Sequence, residues 1–493
     1  MKYKEHHIWN LVADIQYEEA IESYEINGIP VKIFQGRMEI VEPHLDDEMR
    51  ETFSIVMDHM TRTEKRIGVD GMTENILIEA FKNSAKVTEK NQEVQNNFDT
   101  YQYYLLRDMM GYGVLDILWR DTNIEDFSIQ GIDTPVCLIH RNHQEMNYIN
   151  TNIKFDDSEI LEDYIRKICD SAGKTPTYTE PHIEGSTIEG HRISAIMGSD
   201  ICPRGATISV RKFLPGITIT RLLDAGIIPY ELAALIWILF EANGTGMVFG
   251  NTGSGKTTTM NAMINMISES SVIATIEDSP ELQIVQKQWI SLLTRKSADS
   301  VDERNDFGYS KLMKISLRHR PTCIIIGESR EKEVRAVFQI FATGHTSMST
   351  FHASSSEKLL HRLQGDPINI HEAQFDDMWF LMQIGRLVQN GKILRRVMAY
   401  SEMQLVKENS NAQIKPVDII TYNPISKEFE GIDIDNIIAK SQKIHEAATW
   451  NGIKDIKKEM ENRIEYLKKC TSEKIFDGEK IIEKISKYKN HIR

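Results

Sequence analysis

Gly250-Asn251-Thr252-Gly253-Ser254-Gly255-Lys256-Thr257, followed by Thr258, is the stretch from which the fold is read. Its spacing is G-x-x-x-x-G-K-[ST]. A glycine-rich turn of this kind aims backbone N–H groups at phosphate oxygens. A helix starting at Lys256 would point its positive end at the same anion. Lys256 is spaced to reach the β- and γ-phosphates, and the Thr257 hydroxyl to hold Mg²⁺. The context agrees: Gly246–Gly250 reads as a strand leading in, and Lys256–Ile267 as a helix leading out. ATP and Mg²⁺ are therefore the expected ligands, with Gly250 to Thr258 as the binding loop.

Downstream, strand and helix alternate. Val272–Ile276 and Cys323–Ile326 read as strands, Lys311–Arg318 and Glu331–Thr343 as helices, and Ser347–Phe351 as a further strand. That alternation implies a parallel sheet covered on both faces. Acidic groups follow two of the strands. Cys323-Ile324-Ile325-Ile326-Gly327-Glu328 places Glu328 at the carboxyl edge of a central strand, beside the phosphate loop, where it would hold the Mg²⁺ shell or orient a water. Thr275-Ile276-Glu277-Asp278-Ser279-Pro280-Glu281 puts three acids at the end of the second strand, so Glu277 and Asp278 are further Mg²⁺ or water-positioning candidates. In Gly344-His345-Thr346-Ser347-Met348-Ser349-Thr350-Phe351-His352-Ala353, two histidines flank a strand and suggest a γ-phosphate sensor.

Ahead of the loop, Ile124–Ile129, Val136–His140 and Ala206–Phe213 read as short strands, with a helix over Asp157–Ser171. Arg192, Arg204 and Arg211 lie in this part, and arginine suits bidentate phosphate contact. The expected organisation is a helical region over residues 1–110, an α+β domain over 111–213, and a linker over 214–220 that opens on Leu214-Pro215-Gly216. A P-loop domain over 221–400 and an extension over 401–493 follow. In the extension, Ile453, Ile456, Met460, Ile464 and Leu467 share one helical face, and Ile481, Ile482, Ile485 and Ile492 line a second. A helical hairpin results, with a short strand near Asp418–Tyr422 before it. The fold class is α/β: a RecA-type P-loop domain, its parallel sheet flanked by helices, behind a smaller α+β domain and a helical N-terminal region.

Composition limits the function. Charged residues make up 26% of the 493 residues and the net charge is −14. Residues 439–493 carry 14 Lys/Arg against 9 Asp/Glu, so the tail is +5 and the rest −19. An acidic body disfavours direct nucleic-acid binding. A basic tail would suit an anionic membrane face or an acidic partner, although a solvated helical face reads the same way. The most apolar run, Leu232–Phe240, falls far short of the ~20 residues of a membrane span and reads as a buried helix. Met1–Asn10 has no apolar core of a secretory signal, so a cytoplasmic protein is expected. Five scattered cysteines without a C-x-x-C pair fit a reducing compartment and argue against a zinc site.

The order of these motifs resembles the secretion ATPases of type II and type IV machines, which include pilus and archaellum motors. Beyond the loop, the resemblance rests on Thr275-Ile276-Glu277-Asp278, on Arg320-Pro321 ahead of Gly327-Glu328-Ser329-Arg330, and on the run from Gly344-His345 to His352-Ala353. Upstream it includes Gly111-Tyr112-Gly113-Val114-Leu115-Asp116, Gly190-His191-Arg192 and Ile208-Ser209-Val210-Arg211-Lys212-Phe213, and is closest to the archaeal branch. Thr322, Ser329 and Glu331 depart from the family pattern. The resemblance implies catalytic roles for Lys256, Glu328, Glu277, Arg330, His345 and His352. It implies a nucleotide- or subunit-interface role for Arg192, Arg204 and Arg211, with ATP held between two domains. It also implies a hexameric ring docked at the inner face of the cytoplasmic membrane on a polytopic platform protein, driving pilin-like or secreted subunits. A DNA-transfer ATPase of the same superfamily and a nucleotide-sensing scaffold are the competing readings.

Overall fold

The computed structural model describes residues 19–63, 73–143, 146–213, 216–295, 307–330, 333–389, 392–408 and 411–492. Met1–Asn10, Leu214-Pro215 of the expected linker and the first residues of the Glu331 helix lie outside that set, as does the side chain of Ile492. The chain forms two compact units, residues 1–214 and 215–493.

The first unit departs from the helical reading of residues 1–110. It opens with a meander, β1 (Glu22–Ile26), β2 (Ile29–Phe34) and β3 (Arg37–Ile40). The sequence signal was present: Asn27-Gly28 joins β1 to β2 as a two-residue loop with both φ angles positive, the geometry that Asn-Gly favours. Helices follow at α1 (Asp47–Thr63), α2 (Glu74–Val87), α3 (Asn91–Asn96) and α4 (Phe98–Met109), which gather Phe53, Phe81, Tyr101 and Tyr104 into a small core of their own. After α5 (Asp116–Arg120) come β4 (Ile124–Gln130), β5 (Pro135–His140), β6 (Ile149–Lys154), α6 (Ser158–Ser171), β7 (His182–Ser186), β8 (Arg192–Ile196) and β9 (Thr207–Arg211). The strands form one sheet in the order β1-β2-β3-β6-β5-β4-β9-β8-β7. Because β3 pairs with β6, residues before and after 110 share that sheet.

The second unit has the expected α/β architecture. Helices α7 (Ile219–Asp224) and α8 (Tyr230–Glu241) lead to β10 (Thr245–Gly250), α9 (Lys256–Ile264) and β11 (Ile273–Glu277). Then come β12 (Trp289–Leu293), α10 (Tyr309–Arg318), β13 (Cys323–Glu328), α11 (Glu333–Phe341), β14 (Thr346–His352) and α12 (Ser356–Gln364). Sheet order is β12-β11-β13-β14-β10, continued by β15 (Phe380–Gln389), β16 (Lys392–Glu408), β17 (Asn411–Asn423) and β18 (Glu428–Glu430). The strands from β12 to β15 run parallel and the last three antiparallel. Every residue of β10 and β11 is buried, which is why these strands read as continuous apolar runs rather than alternating ones.

The boundary expected at residue 400 falls inside β16, and the patch near Asp418–Tyr422 is part of the longer β17. The last helices, α13 (Ile434–Lys440), α14 (Gln442–Asn451), α15 (Ile456–Ser472) and α16 (Gly478–Ile492), pack on α8 and the sheet rather than standing apart. Met460, Ile464, Leu467, Ile481 and Ile485 join one core with α8, whose residues from Leu232 to Phe240 are all buried. A helix apolar on all sides needs partners all round, and the C-terminal pair supplies one side. Arg463 pins them together. Its guanidinium donates to Glu241 and Glu459, each at 2.8 Å, and lies 4.6 Å from the Trp237 ring. It is 3% exposed, so removing it leaves Glu241 facing apolar surroundings. Arg463→Ala is expected to lower the stability of the second unit by about 3 kcal/mol, read as a lower urea midpoint in tryptophan fluorescence.

Candidate functional site

The site is built where β10, β13 and β14 end. Gly250 closes β10 between His352 of β14 and Ile384 of β15. A Cβ there would meet the Ile384 carbonyl at 2.3 Å and Ser254 Oγ at 2.8 Å, so only glycine lets the loop turn so close to its neighbour strand. Gly255 caps α9 at φ +94°, a left-handed conformation. Asn251, Thr252 and Gly253 are exposed on the loop, Thr257 is half-buried and Thr258 exposed. Ser254 is buried, and its hydroxyl has no partner within the protein. The loop thus keeps an unpaired donor and the open end of a helix, which fits a phosphate ligand.

Lys256 folds back across the loop. Its ammonium donates to the Asn251 carbonyl and to His352 Nδ1, each at 3.2 Å. The other ring nitrogen of His352, Nε2, lies 2.9 Å from Glu328 Oε1, and Arg330 Nε reaches the same oxygen at 3.2 Å. With Nδ1 accepting from the ammonium, Nε2 carries the proton and donates it to the carboxylate. Burial and the Lys256 charge hold His352 below its ordinary pKa, in keeping with a neutral ring. Burial likewise lowers Lys256, with Glu328 and Glu281 opposing the shift. A continuous line of hydrogen bonds therefore joins the phosphate loop to the strand-end acid.

A bulge aims Glu328 into that line. Ile326 pairs with Ser349, but Glu328 pairs with Thr350. An unbroken register would set Glu328 opposite Phe351, on the core face shared by Ile324 and Ile326. The extra residue is Gly327, whose carbonyl accepts from Thr350 Oγ1 at 2.9 Å. Bulges commonly re-aim a side chain in this way. The carboxylate opens on a cleft of about 530 Å³ lined also by Ser329, Arg330, Glu333, Phe351, His352 and Arg362.

Glu277 has a different setting. It is 2% exposed, and its Oε1 accepts from the backbone N–H of Glu281 and Leu282, each at 2.9 Å. Its Oε2 has no partner, and burial raises its pKa to about 7. The carboxylate organises the acidic loop from below. Asp278, also expected at the metal, accepts from Thr294 Oγ1 at 2.6 Å. The half-buried Thr257 hydroxyl and the Glu328 carboxylate at the strand end are oxygen donors of the kind a hard cation takes.

His345 is not brought to this cluster. It precedes β14 at the opposite edge of the sheet, ~23 Å from His352 at ~3.3 Å per residue, and its Nδ1 contacts Thr343 Oγ1 at 2.7 Å. The two histidines flank one strand, and an extended strand separates its ends. The three arginines lie in the first unit. Arg211 pairs with Asp126 at 3.0 Å and stands opposite Arg192 in the β8–β9 register; Arg204 donates to Thr134 at 3.0 Å.

Other contacts had no sequence signal. Arg362 donates to the His352 carbonyl at 2.6 Å from α12. Arg395, on β16, reaches the Gly253 carbonyl at 3.4 Å. Tyr309 donates to the Glu328 carbonyl at 3.2 Å.

The raised pKa of Glu277 has a thermodynamic signature. Its stabilising contribution is full below the unfolded carboxylate value and is lost as pH rises through about 7. Glu277→Gln keeps an acceptor for both backbone amides. Its stability relative to wild type should therefore rise between pH 5 and pH 8, by at most about 3 kcal/mol, in urea titrations across that range.

Comparison with known proteins agrees with the motifs. The family described as "Type II/IV secretion system protein" matches residues 190–485, more than half of the chain. An uncharacterized protein of Methanocaldococcus jannaschii is 30% identical over 469 residues, covering 95% of this chain and 82% of that one. The competence protein ComGA of Streptococcus pneumoniae is 35% identical over 125 residues, covering 25% of this chain and 37% of that one. Among solved structures, the pilus retraction motor PilT with bound ADP is similar at 19% identity and a TM-score of 0.42, over 58% of this chain and 81% of that one. With the strand–loop–helix phosphate site and the acid and histidine beside it in place, the chain belongs to the type II/IV secretion system protein family.

Proposed function

We propose that the chain is a Mg-dependent ATPase that works as a hexameric motor on a polytopic membrane platform, driving assembly or secretion of pilin-like subunits. The observation that carries the catalytic half is the line Lys256–His352–Glu328, which couples the phosphate loop to a carboxylate at the mouth of the cleft. Membership of the secretion family supports the motor half.

In this reading Lys256 leaves its contacts with Asn251 and His352 to neutralise phosphate oxygens. The Thr257 hydroxyl would hold Mg²⁺ together with the acids of the loop. Bound there, the ion supplies charge stabilisation for the transferred phosphoryl group. Glu328 orients a water and accepts its proton; His352, freed from Lys256, reports the state of the loop to Glu328. Arg330 steadies Glu328. Glu277 keeps the acidic loop in shape from beneath, so Glu328 is the water-orienting residue of the two. Arg192, Arg204 and Arg211 supply positive charge at the nucleotide or a neighbouring subunit. The protein would sit in the cytoplasm at the inner face of the membrane; no helix among the described residues is long and apolar enough to cross one. The acidic body supports a motor that does not grip nucleic acid.

Phosphate release with Mg-ATP, measured on samples sized by light scattering, tests both halves. Wild type should turn over in a ring-sized species and Lys256→Ala should not. Glu328→Gln should still bind ATP while losing about 100-fold or more in turnover. Full turnover by Glu328→Gln would remove Glu328 from the chemistry. A wild type that binds ATP tightly without releasing phosphate, even with acidic lipid present, would favour a scaffold.

A further inference from the structure

Far from the phosphate loop in sequence, the first unit gathers a second chemical cluster. A carboxylate oxygen of Glu22 and one ring nitrogen each of His140 and His143 lie within 4.8 Å of one another. His143 Nε2 is 2.6 Å from Glu22 Oε2, and the two imidazole centroids are 5.0 Å apart. His140 is completely buried at the end of β5. Glu22 and Tyr24 point to the inner side of β1, whose alternate residues are exposed. A carboxylate on the inward face of a strand calls for a partner, and here the partners are imidazoles.

We propose that Glu22, His140 and His143 bind one Zn²⁺ ion, which staples the N-terminal meander to the end of β5. Two imidazoles and one carboxylate form a set that zinc takes at ~2.0–2.2 Å, with water in the remaining position. Ligand atoms at that distance stand ~3.3 Å apart in a tetrahedron, so the Glu22–His143 pair has to open by less than ~1 Å. Both donors remain partly accessible, with side-chain exposures of 34% and 11%, which leaves an entry path.

The surroundings hold the ligands in place. Tyr24 donates its hydroxyl proton to Asp121 Oδ2 at 2.5 Å and contacts His140 Nε2 at 3.2 Å. Asn142 N–H approaches His140 Nδ1 at 3.3 Å. Each ring nitrogen of His140 thus has a polar neighbour that helps to orient the ring. Outer partners of this kind fix ring orientation at metal sites.

Topology gives the ion a task. In the sheet, β1 and β5 are separated by β2, β3 and β6. The meander joins β6 through the pairs Arg37↔Asn150 and Met38↔Thr151, and Asn152 bridges to the N–H and carbonyl of Ile40 at 3.0 Å each. Those contacts all lie on β3, so a bond from Glu22 to His140 and His143 would tie the outer strand β1 back to the end of β5 over more than 110 residues of sequence. Metal closure of so long a loop restricts the unfolded chain strongly.

The test uses the full-length protein, stripped with EDTA and titrated with zinc chloride against a chromophoric chelator. Wild type should take up one tight equivalent. His143→Ala should lose it, and Glu22→Gln should hold it about 10-fold or more weaker. Zinc should slow proteolysis of the meander in wild type and not in either variant, whereas Lys256→Ala should bind zinc like wild type. The proposal is overturned if wild type takes no zinc, or if all chains take the same amount through their other histidines. Should His143→Ala fail to fold, Glu22→Gln decides, because it keeps the shape and the hydrogen bond to His143.

Discussion

The strand Thr245–Gly250 is paired on both sides and buried at every residue, and the chain cannot leave it gradually. Its backbone groups are satisfied up to Gly250. There the loop must turn against the Ile384 carbonyl, in a space that no side chain can share. That turn throws the next amides and the start of α9 to one edge of the sheet. Parallel strands all end on that edge, so the acid closing β13 and the histidine closing β14 arrive beside the loop without any longer-range device. Removing the close approach at Gly250 would shift the loop, Lys256 and the line to Glu328 together.

Charges placed so near one another in a half-buried setting need compensation. Lys256 and Glu328 carry opposite charges and do not pair directly; His352 stands between them and hydrogen-bonds to both. A neutral imidazole in that position satisfies a buried ammonium and a carboxylate at once. It also leaves the two groups separable: in the proposed mechanism a phosphate anion would compete with His352 for Lys256. The bulge at Gly327 makes this possible by moving the acid from an apolar face to the polar edge. Glu277, one strand away, is sealed beneath its loop, with two backbone amides on one oxygen. Two acids that look alike in sequence therefore have different chemistry.

The positively charged tail has an internal role. Its apolar stripe covers α8, and the buried Arg463 is bound by Glu241 and Glu459. What remains outward is the charged face. The body of the second unit is thus larger than its P-loop core: β16 and β17 widen the sheet, and four helices close its flank.

Much of this was legible in the residues. The loop from Gly250 to Thr257, the apolar strands behind Glu328 and Glu277, the buried helix before the loop and the order of motifs are all local patterns. Local patterns survive because backbone geometry near a phosphate and the period of a buried strand are set within a few residues. The N-terminal hairpins were also written locally, in Asn27-Gly28. They were outweighed by the longer helical stretches that follow. What the sequence could not supply is any contact whose partners lie far apart along the chain. The separation of His345 from His352 depends on the strand between them being extended. The burial of Glu277, the aim of Glu328, the reach of Arg362 to His352 and of Arg395 to the loop, and the meeting of Glu22 with His140 and His143 depend on register and packing. A single residue of register reverses a side chain's face, and at Gly327 a bulge, not the run of apolar residues, makes that choice for Glu328.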